Sequence, residues 1–231
     1  MHDTPVRLLS VFAALCLVVV LPVSAQSGGP EREIIELPAA DTEGRVPLER
    51  TLAERRSIRR YAGEPLSLEQ VGQLLWAAQG ETQPRTGYRT APSAGATYPL
   101  ELYLVAGRVD GLSAGVYRYL PRRHEVERVG TEDLRQPLYD AALRQTMIRE
   151  APVVLVMTGV TERTAGRYGA RAGRYVAMEA GHASQNIYLQ ATALGLGTVA
   201  VGAFDDEQVS SVLGLDDGEQ PLYLMPVGRM Q

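Results

Sequence analysis

Residues 195–202 read Gly-Leu-Gly-Thr-Val-Ala-Val-Gly, and the reading of that run decides the fold class. Glycines so spaced cradle a pyrophosphate only where a strand leads into them and a helix follows. Here the segment before them, Arg171 to Leu194, is the longest helical candidate in the chain, and Gly195 closes it. A helix in front of the glycines excludes a Rossmann-type unit. Working outward, Ser67 is placed to cap a helix in which Leu68, Val71, Leu74 and Leu75 recur at helical spacing up to Gly80. Leu102–Ala106 and Val116–Leu120 are short apolar or aromatic runs bounded by turns, and Glu125–Val129 can pair with the second as a hairpin. Thr131–Leu143 and Asp205–Leu213 read as helices and Leu222–Val227 as a last strand. Val153-Val154-Leu155-Val156-Met157 does not alternate, which predicts a strand buried on both faces. Helices and strands mix without regular alternation, so the expected class is α+β.

The chain has 231 residues, 45% of them hydrophobic, which suits one domain with a full core. All 23 basic residues are arginine, against 27 Asp and Glu; the net charge of −4 argues against general nucleic-acid binding. Without lysine there is no Schiff base, lysine nucleophile or Walker-type phosphate lysine. Residues 1–25 join Arg7, an apolar run from Leu8 to Val20 and Val23-Ser24-Ala25, the layout of a secretory signal peptide cleaved after Ala25. An uncleaved transmembrane anchor is the alternative, against which stand the short apolar core and Pro22. Cleavage would place the protein in the periplasm or outside the cell, with no stable membrane anchor, and would remove its only cysteine, Cys16. Residues 26–47, rich in Gly, Pro and charge, read as an extended arm or linker, and 48–231 as the folded domain.

Arg55-Arg56-Ser57-Ile58-Arg59-Arg60-Tyr61 sets four guanidinium groups and a hydroxyl within seven residues. Guanidinium forks match phosphate oxygens and a serine hydroxyl can complete the cradle, although a solvated basic turn would look the same in isolation. Residues 92–99, Pro-Ser-Ala-Gly-Ala-Thr-Tyr-Pro, hold small residues between two prolines, a stiff loop whose backbone can approach a flat ligand. Glu179 and His182 imitate a metal-ligand pair at helical spacing. With so few other soft ligands a buried polar pair is the better reading, and no metal is expected. Ala91-Pro92-Ser93-Ala94-Gly95 half-matches a nucleophile elbow, with His124 or His182 as base, but lacks the leading glycine. Around Glu179 the helix carries Val176, Ala177, Met178, Ala180, Ala183, Ile187 and Leu189, apolar almost all round, as a central helix at a subunit interface would be.

Five segments in order resemble the FMN-dependent nitroreductase family: Arg55–Tyr61, the Pro-Ser-Ala-Gly loop, Glu179-Ala-Gly-His182-Ala-Ser-Gln185-Asn186, Leu194-Gly-Leu-Gly197-Thr and Met225-Pro-Val-Gly228. The likeness runs from about Thr51 to Gly228, and the Pro-Ser-Ala-Gly loop and the Glu179–Asn186 segment look like its SagB/ThcOx-type azoline dehydrogenase branch. The resemblance implies a nitroreductase-like FMN-binding fold: a mostly antiparallel central sheet, surrounding helices and a long central helix at a homodimer interface. It implies that Arg55, Arg56, Ser57 and Arg59 hold the FMN phosphate and ring edge, with Arg229 as a second phosphate contact. Pro92, Ser93, Ala94, Gly95 and Ala96 would line the isoalloxazine, and Gly202 and Ala203 would offer backbone groups near its reactive face. The implied activity is transfer of hydride or electrons between flavin and a small-molecule or peptide substrate. Members of the branch share a Lys-Tyr pair ahead of the long helix; the matching residues here are Arg167 and Tyr168. Arginine stays protonated and is a poor base, which argues against azoline oxidation through that pair and leaves Tyr168 as the candidate proton donor. An exported flavin-binding protein without turnover is the alternative reading of the same cradle.

Overall fold

A computed structural model describes residues 1–2 and 33–231. The signal-peptide reading and the first residues of the arm fall on residues outside these. The chain divides into two units, Met1–Glu31 and Arg32–Gln231, and every element below belongs to the second. Its strands are β1 (Ile34–Glu36), β2 (Glu81–Gln83), β3 (Tyr88–Arg89), β4 (Leu100–Ala106), β5 (Gly115–Leu120), β6 (Glu125–Gly130), β7 (Val153–Val160), β8 (Leu196–Thr198) and β9 (Glu219–Arg229). Its helices are α1 (Leu48–Glu54), α2 (Leu68–Gln79), α3 (Arg135–Ala141), α4 (Met147–Glu150), α5 (Glu162–Tyr168), α6 (Ala172–Ala193) and α7 (Asp206–Leu213). Seven strands form one sheet in the order β1-β6-β5-β4-β7-β9-β8, with every neighbouring pair antiparallel. β2 and β3 make a separate hairpin. The chain has the α+β, mostly antiparallel architecture expected.

The inner strand β7 explains its own sequence. Val153, Leu155 and Met157 pack into a core shared with Leu74 and Leu75 of α2 and Ala180, Ala183 and Ile187 of α6. Val154 and Val156 face the other way, onto Leu138 of α3, Ile148 of α4 and Val209 of α7. Helices therefore cover both faces, and an antiparallel strand loses the polar alternation that one solvated face would impose. α2 begins where the capping residues placed it: Gln70 N–H donates to Ser67 Oγ (3.3 Å) and Ser67 N–H to Gln70 Oε1 (3.1 Å), a reciprocal box. α3 is shorter than its pattern. Asp133 takes both the backbone N–H and the guanidinium of Arg135, and Leu143 and Arg144 turn left-handed just beyond the helix, at φ 53° and 57°.

Residues 34–36, within the segment read as an arm, add the edge strand β1 to β6, and Leu37 is buried. His124 secures this edge. A carbonyl can only accept, so Nε2–H donates to Pro38 O (2.9 Å) and Nδ1 accepts from the Tyr119 hydroxyl (2.8 Å). Burial holds this imidazole below the usual histidine range. The folded state therefore favours the neutral ring, and its contribution is complete above about pH 6.5 and declines as pH falls from there toward the folded value. Urea denaturation at pH 7.5 and 5 should show wild type losing more stability on acidification than His124→Gln; equal losses would remove His124 from the pH dependence.

Candidate active site

Two clusters form along α6. The first gathers around Tyr188. After α1, residues 57–61 lie along the β8–β9 edge: Ser57 pairs with Thr198, Ile58 N–H donates to Thr198 O (2.9 Å), and Tyr61 bridges to Met230. The buried Tyr61 hydroxyl donates toward Ile58 O (2.7 Å) and Pro226 O (3.0 Å), pinning the segment, and burial drives its pKa well above the usual phenol value. Ser57 Oγ lies 3.1 Å from the Tyr188 hydroxyl, which accepts Ala200 N–H at 2.8 Å, and the Arg55 guanidinium sits 5.2 Å over the Tyr188 ring. Arg56 turns back onto Ala53 O (2.9 Å) and Arg55 O (2.7 Å) and lines a cavity of about 330 Å³ with Ile58, Tyr188, Thr192 and Thr198. Among the described residues Arg55, Arg56 and Arg59 make no ion pair.

Gly202 and Ala203 are exposed just past Val201, which pairs with Leu224. Gln145, between α3 and α4, donates its amide to Ala203 O (2.8 Å) and so holds that backbone. Arg229 lies at the end of β9 with its Nε 3.0 Å from Glu64 Oε2, an exposed ion pair.

The second cluster holds the Pro92–Ala96 loop. Gly95, Ala96 and Tyr98 all take left-handed backbone (φ 61°, 54° and 44°), a strained turn for the two that are not glycine. Tyr98 N–H donates to Ser93 Oγ at 2.9 Å. Burial pushes the pKa of the Glu179 carboxylate up, against the pull of the Ser93 hydroxyl, the Arg89 charge and the Ala94 N–H that face it, and the residue is only 2% exposed. Its Oε1 has no partner among the described residues. α5 braces the loop from the other side. Arg163 donates to Tyr98 O (3.2 Å), Thr164 meets Thr97 hydroxyl to hydroxyl (2.8 Å), and Arg167 donates to Gly95 O (3.2 Å). Tyr168 stacks edge-on with Tyr175, centroids 4.9 Å apart, and its hydroxyl lies where a Cβ on Gly95 would come within 2.9 Å. Tyr168 is therefore at the loop, and Arg167 is one of its braces.

This arrangement corrects one expectation. Glu179 and His182 are not a pair: the carboxylate turns inward to the loop and the histidine is exposed on the outer face of α6. Ser93 has no histidine beside it, because His124 is bound to the arm and His182 points to solvent, so the hydrolase geometry is not formed. Tyr188, Gln145, Glu179's hold on the loop and α5 were not singled out in the sequence; each acts across a long stretch of chain. Glu179→Ala would take the carboxylate away from the Ser93 hydroxyl and the Ala94 N–H that face it and should cost about 1–3 kcal/mol, read by chemical denaturation, with Glu179→Gln recovering most of it. A full-sized loss in Glu179→Gln would show that charge, not the hydrogen bonds, holds the loop.

Comparison with known proteins agrees with this frame. Residues 52–229 match the nitroreductase family. The chain is 48% identical over 197 residues to MJ1384 of Methanocaldococcus jannaschii, a protein named as a nitroreductase, covering 85% of this chain and 98% of that one. It is 31% identical over 157 residues to the microcin B17-processing protein McbC of Escherichia coli, covering 65% of this chain and 57% of McbC. A solved structure named as a nitroreductase from Ralstonia eutropha superposes with a TM-score of 0.77 at 31% identity, over 88% of this chain and 92% of that one. With the antiparallel sheet, the long α6 and the two clusters beside it, these matches make the chain an oxidoreductase of the nitroreductase family, similar to its SagB/ThcOx-type branch.

Proposed function

We propose that this oxidoreductase binds FMN as a homodimer and passes hydride between the flavin and a small-molecule or peptide substrate. One observation carries the reading. Arg55, Arg56 and Arg59 have no carboxylate partner among the described residues, and beside them stands a serine hydroxyl held by Tyr188. Uncompensated guanidinium groups around a fixed hydroxyl fit a phosphate dianion. FMN bound there would supply two-electron chemistry at its N5. The residues of the chain do the rest: the cradle takes the phosphate charge, exposed Gly202 and Ala203 present backbone without bulk, and Gln145 steadies them. Tyr168 is the proton-bearing group at the Pro92–Ala96 loop, while Arg167 is committed to Gly95 O. Reduction of a substrate with proton donation suits this pair better than proton abstraction does.

The dimer rests on spacing and exposure. Glu179, under the loop, and Tyr188, under the cradle, are nine residues apart on α6, about 13 Å along the axis. A loop from a second copy can close that gap. Leu48, Leu52, Met178 and Met230 are each about half exposed and supply apolar surface for such a contact. Export through residues 1–25 belongs to the same proposal, and N-terminal sequencing of the secreted protein tests it.

The visible spectrum of the purified chain is the direct test. Flavin absorbance, or its uptake on FMN titration, is expected, together with substrate-dependent bleaching and a dimeric mass by light scattering. A colourless protein that takes up no FMN would end the proposal. FMN binding by a monomer would end its dimer part alone.

A further inference from the structure

Arg60 belongs to the Arg55–Tyr61 motif but not to the flavin cradle. It lines a separate cavity of about 700 Å³ with Arg108, Arg135, Arg149, Asp133 and Glu150. That cavity lies where β4 ends and β7 begins, about 20 Å along β4 from the Pro92–Ala96 loop.

Its walls are held in place. Arg135 donates Nε and Nη2 to the Asp133 carboxylate (2.9 and 2.6 Å) and Nη1 to Ala151 O (2.7 Å). It lies so close over Gly107 that a Cβ there would fall 1.9 Å from Arg135 Cζ, so glycine is what lets the guanidinium take this position. Arg108 donates Nη2 to Glu150 O (2.7 Å), while its buried Nε has no partner among the described residues. Arg149 stacks 4.3 Å over the Tyr139 ring. Arg60 makes neither an ion pair nor a hydrogen bond among the described residues.

Four guanidinium groups thus face the side-chain carboxylates of Asp133, already taken by Arg135, and Glu150, with Gln231 also on the wall. Arg108 is held below the usual arginine range by burial and by the charge of Arg135, so the cations crowd one another. Such crowding is unfavourable in the empty protein and is relieved by an anion. A single phosphate would not fill the space, whose volume is that of a small-molecule site.

We infer that this cavity binds a small polyanion, a metabolite carrying phosphate or several carboxylates, at a site independent of the flavin. Arg60 and Arg149 have guanidinium N–H groups free to clamp it, and Arg108 and Arg135 set the positive floor.

Calorimetric titration of the full chain in FMN-containing buffer tests this, with pyrophosphate and citrate as probes. One pyrophosphate site is expected, weakened about tenfold or more in Arg60→Gln and in Arg149→Gln, and within about twofold of wild type in Arg55→Ala. Arg60→Glu, a change at an exposed side chain, should abolish it. Tighter pyrophosphate binding would assign a phosphate ligand, and tighter citrate binding a polycarboxylate; either supports the inference. No binding of either probe at millimolar concentration would overturn it. So would binding untouched by the Arg60 and Arg149 changes, or binding lost with Arg55, which would place the anion in the flavin cradle.

Discussion

Alanine at both Arg55 and Arg59 is expected to weaken FMN binding by about 2–5 kcal/mol, on the order of 30-fold to 5,000-fold, while leaving the fold intact. Each guanidinium would make charge-assisted hydrogen bonds to the phosphate edge of the ligand, each contributing about 1.5–3 kcal/mol. Both act on one group, so the double loss should fall short of the sum of the singles. Neither side chain makes an ion pair among the described residues, so its removal strands no buried carboxylate. Quenching of FMN fluorescence at fixed ionic strength reads the affinity, and the salt dependence of binding should flatten in the double variant. Arg55→Lys should fall between, because lysine keeps the charge and loses the planar fork. Single and double variants that bind FMN as wild type does would remove the phosphate from this segment.

The second large effect is one of shape. Gly197 is buried in β8, and a Cβ there would lie 2.6 to 2.9 Å from three carbons of Ile58, the residue between Ser57 and Arg59. Gly197→Ala should therefore destabilise by about 1–3 kcal/mol through overpacking, a fall in Tm of about 2–12 °C for a domain of this size. The strain should also reach the cradle, because moving Ile58 moves the Ser57 hydroxyl away from Tyr188. Ile58→Ala should cost stability alone yet partly rescue Gly197→Ala, giving a coupling between the two positions in a double-mutant cycle. An unchanged Tm in Gly197→Ala would show that the β8 edge yields freely and that the cradle is not set by this contact.

That contact also shows why the opening glycine run was hard to place. Residues 195–202 were read by what they are not, a dinucleotide loop, and that exclusion stands. Their positive role needed the fold: Leu196–Thr198 is a three-residue strand on the sheet edge, too short to show a period of its own. α2, α6 and β7 were legible because capping residues, helical spacing or an unbroken apolar run are local signals. α5 was not, although it braces the Pro92–Ala96 loop through Arg163, Thr164 and Arg167. Its pattern, Glu-Arg-Thr-Ala-Gly-Arg-Tyr, shows no apolar stripe, and its reason for being helical lies in what it touches. Nor does the place of Arg229 after Pro-Val-Gly foretell its neighbour Glu64.

By itself the sequence determined the class of the fold, the exclusion of lysine and thiol chemistry from the folded part, and the segments from which the site is built. These follow from residue type and short-range period, which survive without coordinates. Only the tertiary structure decided how the segments divide: Ser57 with Tyr188 across 131 residues, the Pro92–Ala96 loop with Glu179 and α5, and Arg60 with the arginines at the far end of the sheet. The physical reason is that a side chain's partner depends on which strands lie side by side and which way each pleat faces. That pairing comes from packing the whole core, so no local stretch of sequence carries it.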